Sequence, residues 1–146
     1  MSMGIRGKQA VAGLLAVSAA VVGGWAEFAP RSFYHSFPGF GRHWVSPVGP
    51  YNEHLIRDVG GLYLALLVIT VWALLRALPE MLRMTGGGWL VFNVAHIAFH
   101  AGHLDGFSTG DKVGQVVALA VAVGLAVLLV LPDGAGSPTL TRPAVR

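Results

Sequence analysis

The 146-residue chain contains no cysteine, which removes disulfides, thiolate metal ligands, CxxC redox pairs and a cysteine nucleophile together. Charge is almost as scarce. Only 12% of residues are Asp, Glu, Lys or Arg, about half of the roughly 25% usual in soluble domains. The net charge of +3 comes from scattered Lys and Arg, and no basic patch with interleaved aromatics forms, so nucleic acid is not an expected partner. The GxSxG, P-loop and GxGxxG signatures are missing as well, which leaves hydrolase and nucleotide-binding readings without support.

Apolar residues take the place of charge: 54% of the chain is hydrophobic and the mean hydropathy is +0.63. This is the composition of an integral membrane protein whose first partner is the lipid bilayer. The pattern predicts an all-α, antiparallel four-helix membrane bundle over 1–132, with helices at about 9–28, 52–78, 88–103 and 112–131. A disordered tail at 133–146 is expected from its Gly, Ser, Pro and Arg content. The first run, Ala10 to Ala26, reads as a membrane helix. Its Gly24-Trp25-Ala26 end also suits a signal peptidase, and both readings put the following residues outside. Arg6, Lys8, Arg76, Arg83, Arg142 and Arg146 fall on one side of four spans, which predicts a multi-pass membrane protein with both termini cytoplasmic. Arg31 and Arg42 argue weakly against that orientation.

Between the first two helices, residues 27–51 hold four prolines and many aromatics. Such a stretch predicts an irregular outer loop lying in the headgroup zone, either a plain interfacial anchor or a lid over a site beneath it. The second helix opens with a dense polar cluster. Asn52 is a candidate cap, Glu53 precedes Arg57 by four residues, and His54 stands in the same relation to Asp58. Gly61 and Ala65 continue that adjacent face and would allow close helix approach. Ionisable groups at a membrane helix default to a functional hypothesis. In the turn before the last helix, Thr109 or Asp111 is available as a cap.

The stretch that organises these features is Asn93-Val-Ala-His96-Ile-Ala-Phe-His100-Ala-Gly-His103-Leu-Asp105. At about 100° per residue the offsets 0, +4 and +7 put His96, His100 and His103 on one stripe, with Asn93 at its edge. A second helix entering from outside at His54 and a third leaving to the outside at His103 would bring their polar ends together in the outer leaflet. Glu27, His35 and His43 would join from above.

Neutral imidazoles with a carboxylate and no thiolate suit Zn, Cu, Fe or Mn. The candidate metal set is His54, Asp58, His96, His100 and His103, with Glu53, Arg57, Asn93 and Asp105 supporting the ligands from behind. Haem held between His54 and His96 or His100 is the cofactor alternative, since bundle cores host such groups. The same histidines also suit a proton-coupled or quinone-interacting site, and a polar seam in an accessory subunit of a larger membrane complex or in a homo-oligomer needs no chemistry at all.

Tyr51-Asn-Glu-His54, Arg57-Asp58-Val-Gly-Gly61, the aromatic first loop and the His96, His100, His103-Leu-Asp105-Gly106 segment together resemble a group of small uncharacterised actinobacterial four-helix membrane proteins. The span layout over 25–131 is loosely similar to DoxX-like proteins. That resemblance implies an inner-membrane four-helix bundle with an accessory place in redox or quinone metabolism, and it carries over no site residue.

Overall fold

Pro30 and Pro79 each stand at the first position of a helix, where a missing N–H costs nothing, and they mark where the long apolar runs are interrupted. The computed structural model describes residues 2–134. It is mostly helical: α1 (Ile5–Phe28), the short α2 (Pro30–Ser36), α3 (Glu53–Arg76), α4 (Pro79–Ala101) and α5 (Thr109–Val130). Between α2 and α3 lie a small hairpin, β1 (Pro38–Gly39) against β2 (Arg42–His43), and a 3-10 turn at Ser46–Val48. α1 packs chiefly on α3 and α4 chiefly on α5, while α3 against α4 and α1 against α5 join the two pairs.

Three of these helices, α1, α3 and α5, are long and apolar enough to cross a membrane. α4 matches them in length at 23 residues, roughly 35 Å at about 1.5 Å per residue, but it is less apolar. The sequence pattern puts the start of this helix at about residue 88, after a basic turn over 76–88 that ends in Gly86, Gly87 and Gly88, whereas α4 starts at Pro79. Helix persists through them because Gly86 is a contact surface: a Cβ there would lie 2.6 Å from Leu129 Cβ and 3.1 Å from the Ala126 carbonyl. Packing on α5 outweighs the propensity cost of about 1 kcal/mol per glycine.

The same logic moves the close contact on α3 by one residue. Gly61, the expected approach point, faces open space, whereas a Cβ on Gly60 would lie 2.6 Å from the Glu27 backbone nitrogen. Gly23 answers from α1, packed against Tyr63 and Leu64. The α3 cap is Asn52, whose side chain accepts from Leu55 N at 3.2 Å. For α5 the cap is Ser108 and not Thr109 or Asp111, since Ser108 Oγ accepts from Asp111 N at 3.2 Å.

At the end of the molecule remote from the hairpin, α1 begins at Ile5, so Lys8 lies inside it and is fully buried. Its Nζ donates to the Leu131 carbonyl at 2.6 Å and to Asp133 at 2.7 Å, and Arg83 meets the other Asp133 oxygen at 2.9 Å. Met3 N donates to the Pro132 carbonyl at 3.0 Å and Gly134 N to the Met3 carbonyl at 3.1 Å. Asp133, expected to open a disordered tail, therefore anchors both α1 and α4. Residues 135–146 of that tail, with Arg142 and Arg146, lie outside the described residues.

Substitutions at two places test this packing. Gly60→Ala is expected to destabilise the protein while Gly61→Ala stabilises it by about 0.5 kcal/mol through helix propensity, measured by thermal unfolding in detergent. Asp133→Ala leaves the Lys8 ammonium buried without its carboxylate and is expected to cost about 3 kcal/mol. The double replacement Lys8→Met with Asp133→Leu should recover most of that loss in the same assay.

Candidate functional site

The apolar stripes that build the fold do not meet everywhere. Between α1, α3, α4 and α5, on the side of the bundle facing the hairpin, they leave a cavity of about 360 Å³. α4 contributes Trp89, Asn93, His96 and His100, a run of +4, +7 and +11 along one helical face. From α5 come Gln115, Ala118, Leu119 and Ala122, again with helical spacing, and from α3 Ile56, Val59 and Tyr63. Ser18 and Val22 of α1 complete the wall.

Its roof is the segment between α1 and α3. Phe33, Phe37, Trp44, Val45 and Val48 all line the cavity, so this segment covers a cavity as well as carrying aromatics at the end of the bundle. Packing holds it together internally: Phe33 and Phe37 lie 4.7 Å apart between ring centroids, and Trp25 meets Phe33 edge-on at 6.0 Å. A latch fixes it to α5. Trp44 Nε1 donates to Asp111 Oδ1 at 2.8 Å, Arg42 to the same oxygen at 2.6 Å, and Ser108 Oγ to Oδ2 at 2.7 Å. The Trp44 ring lies over Gly114, where a Cβ would approach it to 3.0 Å.

The floor is polar but satisfied. Trp89 Nε1 donates to Thr70 Oγ1 at 2.8 Å, and Thr70 donates on to the Leu66 carbonyl at 2.6 Å. Asn93, 2% exposed, donates to the Ala122 carbonyl at 3.2 Å. Higher on the wall the balance changes. His96 stacks on Phe92, with ring centroids 5.3 Å apart and planes at 20°, and its ring centroid is 4.7 Å from that of His100. Among the described residues it has no hydrogen-bond partner. His100 Nδ1 lies 3.1 Å from Gln115 Oε1, and Gln115, 2% exposed, has no partner for its Nε2 among them.

Of the expected site residues, then, His96, His100 and Asn93 come together, and the others do not join them. His54 and Asp58 are exposed, with side-chain accessibilities of 83% and 59%, and contact each other at 3.4 Å. The reason is angular. Ile56 points inward, and residues two positions away on either side fall about 160° round the helix from it. No axial pair between His54 and α4 is formed.

His103 lies beyond the end of α4, which stops at Ala101. Its ring stacks on Phe99 at 4.1 Å and its Nδ1–H donates to the Phe99 carbonyl at 2.7 Å, so the third imidazole leaves the stripe. Asp105 is exposed in the following turn.

Arg57 is held by Glu53 at 3.0 Å and by the Glu27 carbonyl, so the polar start of α3 serves α1 and not the histidines. His35 is exposed and its carbonyl is bonded by His43 Nδ1, with both rings outside the cavity lining. Tyr51, ahead of α3, donates to Glu53 Oε2 at 3.2 Å, and desolvation together with that carboxylate raises its pKa above the ordinary phenol value. Among the described residues no group of three or more His, Asp or Glu side chains is placed to hold a metal ion.

Two contributors went unrecognised in the sequence. Gln115 stood out only as the single strongly polar side chain of the last helix, and that isolation was the available signal. Trp44 carried none, because nothing local tells an interfacial tryptophan from one tethered to a distant carboxylate.

Comparison with family models, curated protein sequences and solved structures finds no match to this chain. The roof is expected to loosen when its latch is cut. Asp111→Ala should shift Trp44 emission to the red and speed amide exchange over 38–48 by about tenfold, the equivalent of one lost hydrogen bond of about 1.4 kcal/mol, with the cores of α1 and α3 unchanged.

Proposed function

We propose that this chain is a multi-pass inner-membrane protein of bacteria, with α4 as a fourth span. It binds a small apolar molecule in the roofed cavity, with the polar end of that molecule against His96 and His100. In functional terms it is a proton-coupled or quinone-interacting protein. The observation that carries this reading is the composition of the wall: an aromatic and aliphatic chamber with few polar groups, most of them on α4 and α5 beside Ser18 of α1 and Tyr63 of α3, the usual make-up of a small-molecule site. Both termini are assigned to the cytoplasm. Six of the ten basic residues, Arg6, Lys8, Arg76, Arg83, Arg142 and Arg146, flank that end in the sequence, against Arg31, Arg42, Arg57 and Lys112 at the other.

A second reading keeps a transition metal. Two imidazoles four residues apart on one helix, with ring centroids separated by 4.7 Å, are a plausible half-site for Zn, Cu, Fe or Mn, and Gln115 would fix the His100 tautomer. No carboxylate lines the cavity, so the remaining ligands would have to come from water or from a bound molecule. For this reason the organic ligand is the preferred occupant, and an accessory role in a larger membrane complex is compatible with either.

The test is a titration of the nanodisc-embedded protein with 2-methyl-1,4-naphthoquinone, followed through Trp44 and Trp89 fluorescence. Saturable quenching is expected, abolished by Ala122→Phe, which fills the floor, and weakened about tenfold by His100→Leu. Quenching that stays linear and is indifferent to both substitutions would overturn the reading. Stoichiometric metal that is lost in His96→Ala would favour the second.

A further inference from the structure

The polar end of this cavity has a specific hydrogen-bonding demand. Gln115 is 2% exposed and lacks a partner for Nε2, yet lines the chamber. Leaving a buried amide donor unpaired is unfavourable, because it has given up its water without a replacement. Its neighbour His100 uses Nδ1 on the same amide at 3.1 Å, which leaves Nε2 of that ring without a hydrogen bond among the described residues.

The direction of the His100–Gln115 bond depends on tautomer and amide orientation, but the outcome for a ligand does not. When Nδ1–H donates to Oε1, the pair presents an N–H on Gln115 and a lone pair on His100 Nε2. With the amide turned over, Gln115 Nε2 donates to Nδ1, and the pair presents a carbonyl lone pair and an Nε2–H. Either way it offers one donor and one acceptor. His96, with no hydrogen-bond partner among the described residues, stands beside it.

A single hydroxyl satisfies both sites at once, giving its proton to one and accepting from the other. A carbonyl or ether oxygen satisfies only the donor. A carboxylate or ammonium would enter a chamber whose lining has no Lys, Arg, Asp or Glu, and an uncompensated charge there is strongly disfavoured.

Resting on the proposed ligand cavity, we infer that its occupant is a neutral hydroxyl-headed molecule on an apolar body, bound at the Gln115–His100 pair. Two sources share that chemistry, the reduced quinol form of an aromatic carrier and a lipid alcohol of the prenol type.

The experiment uses the full chain in nanodiscs and compares four probes of one shape by calorimetric titration: 2-naphthol, 2-methoxynaphthalene, naphthalene and 2-naphthoate. 2-Naphthol is expected to bind about tenfold more tightly than its methyl ether, and Gln115→Leu should bring the two together while leaving naphthalene unchanged. Equal affinities of naphthol and ether in the unsubstituted protein, a comparison that needs no variant, would overturn the inference and leave the cavity reading standing. Tightest binding of 2-naphthoate would overturn it too. No binding of any probe, naphthalene included, would remove the cavity reading and this inference with it. Titration with 2-methyl-1,4-dihydroxynaphthalene against geraniol separates the two sources by which binds at least tenfold better.

Discussion

The carboxylate of Asp111 holds the site together. One side chain accepts from an indole, a guanidinium and a hydroxyl, and of these the indole and the guanidinium come from the segment linking α1 to α3. The helices alone form a chamber open at one end. It is the attachment of Trp44 and Arg42 to the first turn of α5 that draws Phe33, Phe37 and Val45 over the imidazoles. Charge-assisted bonds of this kind are roughly twice as strong as neutral ones, which suits a contact that must hold an otherwise irregular stretch in place.

Much of the helical layout was legible because hydrophobic run length is a robust signal. The Asn52 cap, the Glu53–Arg57 pair and the His54–Asp58 pair follow from spacing of three or four residues and occur as read. What spacing does not encode is rotation. Whether the Ile56 face or the His54 face of α3 turns inward depends on where α1 can come closest, and a glycine at position 60 settles that through contact with Glu27. The carboxylates and His54 were thereby sent outward, and the histidines of α4 were left with Gln115 for company.

The two ends of the bundle handle polarity in opposite ways. Around Lys8, the buried ammonium donates to the Leu131 carbonyl and to Asp133, while Glu80 Oε2 in the first turn of α4 is buried without a partner among the described residues. Around His96, His100 and Gln115, hydrogen-bonding capacity is left over. Buried polar groups are normally satisfied, so the ion pair of Lys8 with Asp133 is in keeping with a structural role, and the spare capacity of the second cluster, which unlike Glu80 lines a cavity, supports the proposal that a ligand completes it.

The modest apolarity of α4 has a consequence for biogenesis. As the proposed fourth span, α4 carries glycines, Asn93 and two imidazoles and would be a poor substrate for independent insertion, and its favourable contacts at Gly86 and Asn93 are with a helix synthesised after it. Such a segment would wait at the translocon for α5 and partition into lipid with it as a hairpin, so the polar wall would reach the bilayer interior only once its covering partner had arrived.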